Sequence, residues 1–172
     1  MKQSLKILFA ILIITSITNG CSNNKDNETL FTTVFKTIKG DVRGINLNST
    51  INEVKEKEGL KPDSISDNYL HYTIKKNDKN TIIDIAYNFD KNGLYSADIV
   101  IKTDSLSAID TLQTKTIKLF TKKYGAPIKL APQIYLWNYT SPSGASASAQ
   151  LINNSNIENK GALEIIVQTE VE

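Results

Sequence analysis

Three consecutive runs of this chain alternate apolar and polar residues with a period of two, and turn residues separate them. Tyr69 to Lys75 sets Leu70, Tyr72 and Ile74 on one side and Tyr69, His71 and Thr73 on the other. Thr81 to Phe89 groups Ile83, Ile85, Tyr87 and Phe89, and Leu94 to Lys102 groups Tyr95, Ala97, Ile99 and Ile101. A helix repeats every 3.6 residues, so this pattern demands strands buried on one face only, which is the antiparallel arrangement. Asp78-Lys79-Asn80 and Asp90-Lys91-Asn92-Gly93 are predicted hairpin turns, the second carrying the favoured Asn-Gly pair.

Helical signals flank these strands. Thr50-Ile51-Asn52-Glu53 reads as a capping box, in which the threonine oxygen accepts from a backbone amide and the glutamate reaches back. Ile51 and Val54 share a face, Gly59 is placed for a left-handed cap and Pro62 prevents continuation, so a helix over 51–58 is predicted. A longer helix starts at Asp104 or Ser105 and carries Leu106, Ile109, Leu112, Thr116 or Ile117, Phe120 and Tyr124 at helical spacing. Lys118, Lys122 and Lys123 suit its negative end, and Gly125 with Pro127 stops it. Leu30, Val34, Phe35 and Ile38 fit a further helix over Thr29 to Ile38, although its β-branched content also suits a strand.

Further strands are expected at about 133–140, 145–152 and 162–170. The fold expected is therefore α+β: a helix plus three antiparallel strands, repeated twice, giving about six strands with helices on one face. One domain, 29–172, holds this unit. The chain is long enough for it to build its own core.

Side chains able to do chemistry are few. His71 is the only histidine and falls on the polar side of its strand, so it reads as a surface residue rather than a ligand or base. Asp84 and Asp98 stand opposite the apolar set on neighbouring strands, where alternation alone puts charges; two carboxylates there are the nearest approach to an acid–base pair. Asp90-Lys91-Asn92-Gly93 lacks the further acidic ligands of a calcium loop. Neither a catalytic set, a metal site nor a cofactor is expected. Tyr135, Trp137 and Tyr139 alternate with Ile134, Leu136 and Asn138. If helices cover the even-numbered side, three aromatics form an exposed patch for a small ligand or glycan; if they cover the odd side, the aromatics are core. Asp63-Ser64-Ile65, Asp104-Ser105-Leu106 and Asp110-Thr111-Leu112 resemble short O-glycosylation acceptors, but caps and turns explain the same residues.

The beginning of the chain carries a different kind of signal. Lys2 and Lys6 precede an apolar run from Ile7 to Ile14, and small or polar residues follow up to Gly20. This is the pattern of a signal peptide, residues 1–20, and its apolar run is short of the ~20 residues that a spanning helix needs. Cys21 comes next and is the only cysteine. Ile17-Thr18-Asn19-Gly20-Cys21 resembles the lipobox of bacterial lipoproteins, with Thr18 where leucine is usual. The resemblance implies cleavage before Cys21, a diacylglycerol (with palmitate-type chains) on its sulfur and attachment to an envelope membrane, the outer membrane being the expected one. Two or more acyl chains hold a protein stably where one is marginal. Ser22 to Glu28 is polar and reads as a flexible tether, residues 21–28. Loss of Lys2 and Lys6 leaves 18 basic against 18 acidic residues, so the basic excess belongs to the leader and no nucleic-acid-binding stripe is expected.

Gly44-Ile45-Asn46-Leu47-Asn48-Ser49-Thr50 followed by Glu53-Val54, and Tyr124-Gly125-Ala126-Pro127 followed by Trp137 and Tyr139, resemble two elements of small lipoprotein domains of the SmpA/OmlA and β-lactamase-inhibitor-like type. The likeness spans roughly residues 40–140. It implies a helix-and-sheet module that binds other proteins in the periplasm or at the outer membrane. The function expected is that of a lipid-anchored, non-enzymatic binding or accessory module acting by protein contact, with a small-ligand or glycan binder using Tyr135, Trp137 and Tyr139 as the alternative.

Overall fold

A computed structural model describes residues 24–155 and 160–170, with side chains from residue 30 onward. The expected signal peptide and the lipidation site at Cys21 lie outside the described residues. Three helices, α1 (Asn24–Phe35), α2 (Ile51–Glu58) and α3 (Leu106–Tyr124), accompany eight strands. These are β1 (Ser64–Ser66), β2 (Tyr69–Lys76), β3 (Thr81–Asp90), β4 (Gly93–Thr103), β5 (Ile128–Ala131), β6 (Ile134–Thr140), β7 (Ser146–Asn153) and β8 (Gly161–Thr169). All eight form one antiparallel sheet in the order β1-β2-β3-β4-β8-β7-β6-β5.

The sheet is α+β as expected, but it has eight strands rather than six. Each helix of the repeat, α2 and α3, leads into four strands rather than three, and the two meanders join through the β4–β8 pair. The two additional strands, β1 and β5, lie at the outer edges and have three and four residues. Neither is long enough to display an alternating pattern, and β5 is bracketed by Pro127 and Pro132. Short, proline-flanked edges limit further strand pairing.

The helix signals map closely onto the structure. Thr50 and Glu53 form the capping box, and Gly59 ends α2 in the left-handed conformation at φ 61°. Ser105, not Asp104, caps α3 through its side-chain oxygen, which accepts from the Ala108 amide. Ile109, Leu112, Thr116 and Phe120 are buried along one stripe. α1 begins at Asn24, inside the segment expected to be tether, and ends at Phe35, where Lys36 turns to φ 54°. Ile38, expected on the helix face, therefore lies beyond it and is 61 % exposed.

One strand departs from simple alternation. The register of β3 and β4 shifts at Asn88/Phe89, so that Phe89 pairs with Leu94 and Asn88 with Ser96. Tyr95 is the extra residue, and this bulge turns it to solvent while Leu94 takes the buried place that Tyr95 was expected to fill. The adjacent turn depends on Gly93: its φ is 106°, and a Cβ there would lie 2.5 Å from the Asn48 carbonyl oxygen.

The core fills the space between the helices and one face of the sheet. Leu70, Tyr72, Ile83, Ile85, Tyr87, Ile99, Ile101, Leu151, Leu163, Ile165 and Val167 are buried there beneath α3, α2 and α1. Phe35 meets Phe120 edge-on at 5.9 Å, joining α1 to α3. The turn Val42–Ile45 is clamped to the end of α3, where Tyr124 Oη donates to the Asp41 carbonyl at 3.0 Å and Lys123 Nζ to those of Gly40 and Asp41.

Candidate functional site

Two features stand out from an ordinary core and surface: a buried ionic cluster under the helices, and the uncovered face of the sheet.

The cluster is centred on Glu58, the last residue of α2, whose side chain is fully buried. Arg43 forks onto it, Nε to Oε1 at 2.7 Å and Nη2 to Oε2 at 2.9 Å. Tyr87 Oη donates to the same carboxylate from the middle of β3. Arg43 Nη1 also donates to the Thr33 and Val34 carbonyls at 2.6 Å each, capping the end of α1. Lys36 Nζ lies 3.6 Å from Oε2. Burial alone would raise the Glu58 carboxyl, but the hydrogen bonds and charge of Arg43, helped by Tyr87, outweigh it and hold the group below the usual carboxylate range. Arg43 occupies φ 52° in a tight Val42–Ile45 turn with Gly44 at φ 86°. A non-glycine residue pays strain in that region, and the cluster holds it there. Glu58 lies one turn beyond Val54 on the buried side of α2, and nothing local in the sequence links it to Arg43. The cluster thereby ties α1, α2 and the sheet together.

The uncovered face is the side that the helices leave free, and strand register arranges its residues in rows. One row runs Thr73–Asp84–Val100–Glu164–Ile152–Ile134, from β2 across to β6. The next runs His71–Ala86–Asp98–Ile166–Gln150–Leu136–Ile128. Val100, Ile166, Ile152, Ile134 and Leu136 are half-buried with no helix or strand among the described residues layered above them, and Ile128 is 50 % exposed. On β8, β7, β6 and β5 these two rows therefore carry an aliphatic set, interrupted by Glu164 and Gln150.

The sequence-derived candidates fall on both sides of the sheet. Asp84, Asp98 and His71 are on the uncovered face. His71 Nε2 is 3.6 Å from Asp84 Oδ1, which also accepts from Thr73 Oγ1 at 3.1 Å. Asp98 is reached only by Ser96 Oγ at 3.4 Å; partial burial raises its carboxyl, the serine lowers it, and Glu164 raises it further. Among the described residues no three His, Cys, Asp or Glu side chains are placed to hold a metal ion. Asp90 accepts from the Asn92 amide at 2.7 Å, the turn chemistry expected of that loop.

Tyr135, Trp137 and Tyr139 face the helices. Trp137 is 1 % exposed and meets Phe120 edge-on at 5.3 Å, and Tyr139 stacks on Tyr124 at 3.9 Å. Tyr135 is half-buried, with Lys129 over its ring at 5.6 Å. The exposed aromatic patch on which a glycan or small-ligand site was premised is thus not formed: α3 covers the odd-numbered side of β6, because large rings gain most from burial. Burial also pushes the Tyr139 hydroxyl far up, with Tyr124 and Asp41 adding to it.

No helix among the described residues is long and apolar enough to cross a membrane. Comparison with protein-family models, with curated proteins and with solved structures found no match.

Proposed function

We propose that this chain is a lipid-anchored, non-enzymatic binding module of a bacterial envelope that meets a partner protein with the uncovered face of its sheet. The observation that carries the reading is the aliphatic set on that face, Val100 of β4 with Ile166, Ile152, Ile134 and Leu136, half-buried with no helix or strand among the described residues layered above it. Contiguous apolar surface on a soluble domain marks an interaction site. The expected anchor at Cys21 supports a location at the membrane. Only two residues separate Cys21 from the start of α1, and α1 packs with α3 in the helix layer. An anchor there attaches the domain from its helix side and leaves the opposite face free for a partner. The likeness of the Gly44–Thr50 and Tyr124–Tyr139 elements to small protein-binding lipoprotein domains points the same way.

The test uses the full chain expressed in its envelope. A photo-crosslinking amino acid replaces Ile152 on the uncovered face or Lys118 on the exposed side of α3. The expected result is a discrete crosslinked protein from position 152 and none from 118. Failure to crosslink at 152, or equal products from both positions, overturns the reading. Cys21→Ser should abolish incorporation of a clickable palmitate analogue; retained label would remove the anchor from the proposal.

A further inference from the structure

The uncovered face carries charge as well as aliphatic surface, and the register places that charge. Asp98 pairs across to Ala86 on β3 and to Ile166 on β8. Asp84 and Glu164 are each two residues away from those partners, so both are diagonal neighbours of Asp98. Three carboxylates thus converge on the central strands β3, β4 and β8, next to Val100 and Ile166. Among the described residues none of the three pairs with a lysine or arginine. Asp84 has His71 and Thr73, and Glu164 has only the Asn154 amide at 3.3 Å. Lys75 and Lys102 stand on the neighbouring row with Ile82 and Ala162, where Lys102 is diagonal to Asp84 and Glu164 and Lys75 to Asp84, but neither comes within ion-pair distance, and neither is diagonal to Asp98. Asp98, partly desolvated and with no lysine or arginine in ion-pair distance, therefore sits beside the aliphatic surface with Asp84 and Glu164 on either side.

We propose that the occupant of this face, as read above, is a protein segment that lays aliphatic side chains over β8, β7 and β6 and sets a lysine or arginine among Asp84, Asp98 and Glu164. The aliphatic half supplies contact area, and the carboxylates choose the partner's charge. Complementary charge at such an interface steers encounter and rejects acidic competitors. The carboxylates sit at the inner border of the apolar half, so the partner's cation lies beside its apolar stripe, as on one face of a basic amphipathic helix.

Three synthetic peptides of equal length serve as probes: a leucine/lysine amphipathic helix, a leucine/glutamate twin and a serine/lysine twin. Methyl NMR shifts of the full chain, followed at Val100, Ile134, Ile152 and Ile166, report where and how tightly each binds. The leucine/lysine peptide is expected to shift these methyls and to bind roughly tenfold or more tightly than either twin. In Asp98→Asn/Glu164→Gln that preference over the glutamate twin should collapse to within about threefold, with Trp137 emission unchanged as evidence of an intact fold. Equal binding of the lysine and glutamate peptides, or an unchanged affinity in the double variant, overturns the assignment of charge and leaves the docking face standing. Shifts confined to helix-layer methyls such as Leu112 also overturn it. If no peptide moves the face while crosslinking at position 152 succeeds, the partner chemistry falls and the binding reading survives; if crosslinking fails as well, both fall.

Discussion

Replacing Arg43 by methionine removes the only arginine in the buried cluster and leaves Glu58 ionised beneath α2. The Glu58 side chain is fully buried and that of Arg43 2 % exposed, so solvent cannot take over the lost partner. Removing one member of a buried ion pair costs about 3–5 kcal/mol, because an uncompensated charge remains. For a domain of this size that corresponds to roughly 6–20 °C in Tm. Against a typical total stability of about 5–15 kcal/mol the loss is large. Trp137, the only tryptophan, is buried and gives a fluorescence readout for urea unfolding. The pH dependence carries a second, sharper signature. In the native protein the Glu58 carboxyl is depressed, so its contribution is present at neutral pH and disappears as pH falls through its folded pKa. In Arg43→Met only Tyr87 and Lys36 still lower that carboxyl against burial, its largest influence, so stability should rise less as pH climbs from about 4 towards 7, or fall. The slope of stability with pH between about 4 and 7 is therefore smaller in the variant than in the native protein, or of opposite sign. A destabilisation under about 1 kcal/mol, or parallel pH profiles, would refute the argument that Arg43 neutralises a buried carboxylate. Hydrogen exchange at residues 30–35 should also accelerate, because Arg43 caps the last carbonyls of α1.

Two further substitutions test other parts of the structure. Asp98→Asn removes a carboxyl that partial burial and Glu164 both disfavour, so its Tm at pH 7 should equal or exceed that of the native protein. The raised carboxyl means that the native chain loses stability as pH climbs through its pKa and the variant does not; a clearly lower Tm for the variant at pH 7 counts against the assignment. Gly93→Ala combines a φ of 106° with a Cβ 2.5 Å from the Asn48 carbonyl oxygen, and should cost more than about 1 kcal/mol in urea denaturation; a neutral result would show that the β3–β4 turn relaxes freely.

The cap at Thr50, the Gly59 stop, the α3 stripe and six of the eight strands were legible because each rests on residues close in sequence. β1 and β5 were not, since three or four residues carry no period and become strands only when a longer neighbour offers its edge. The start of α1 was misplaced because Asn24 to Glu28 is polar throughout, and no apolar spacing announces a helix before Leu30. Tyr95 was assigned inward because one inserted residue shifts the alternation, and a bulge leaves no mark in the pattern. The carboxylates were visible at Asp84 and Asp98, whereas Glu164 joins them only through the pairing of β4 with β8, 66 residues further along than Asp98.

The sequence by itself determined that this chain builds an antiparallel sheet with one buried face, because alternation with a period of two has no other economical solution. It also contained, in the leader and Cys21, the expectation of a lipid anchor. Which face of β6 is buried was decided only in three dimensions. Both sides of β6 are largely apolar, with Tyr135, Trp137 and Tyr139 on one and Ile134 and Leu136 on the other, so the local pattern is degenerate there. The packing of Phe120 and Tyr124 against the rings drew the aromatic side under α3 and left the aliphatic side open. The tertiary structure also brought Arg43, Glu58 and Tyr87 together, because only folding makes neighbours of a turn, a helix end and a strand.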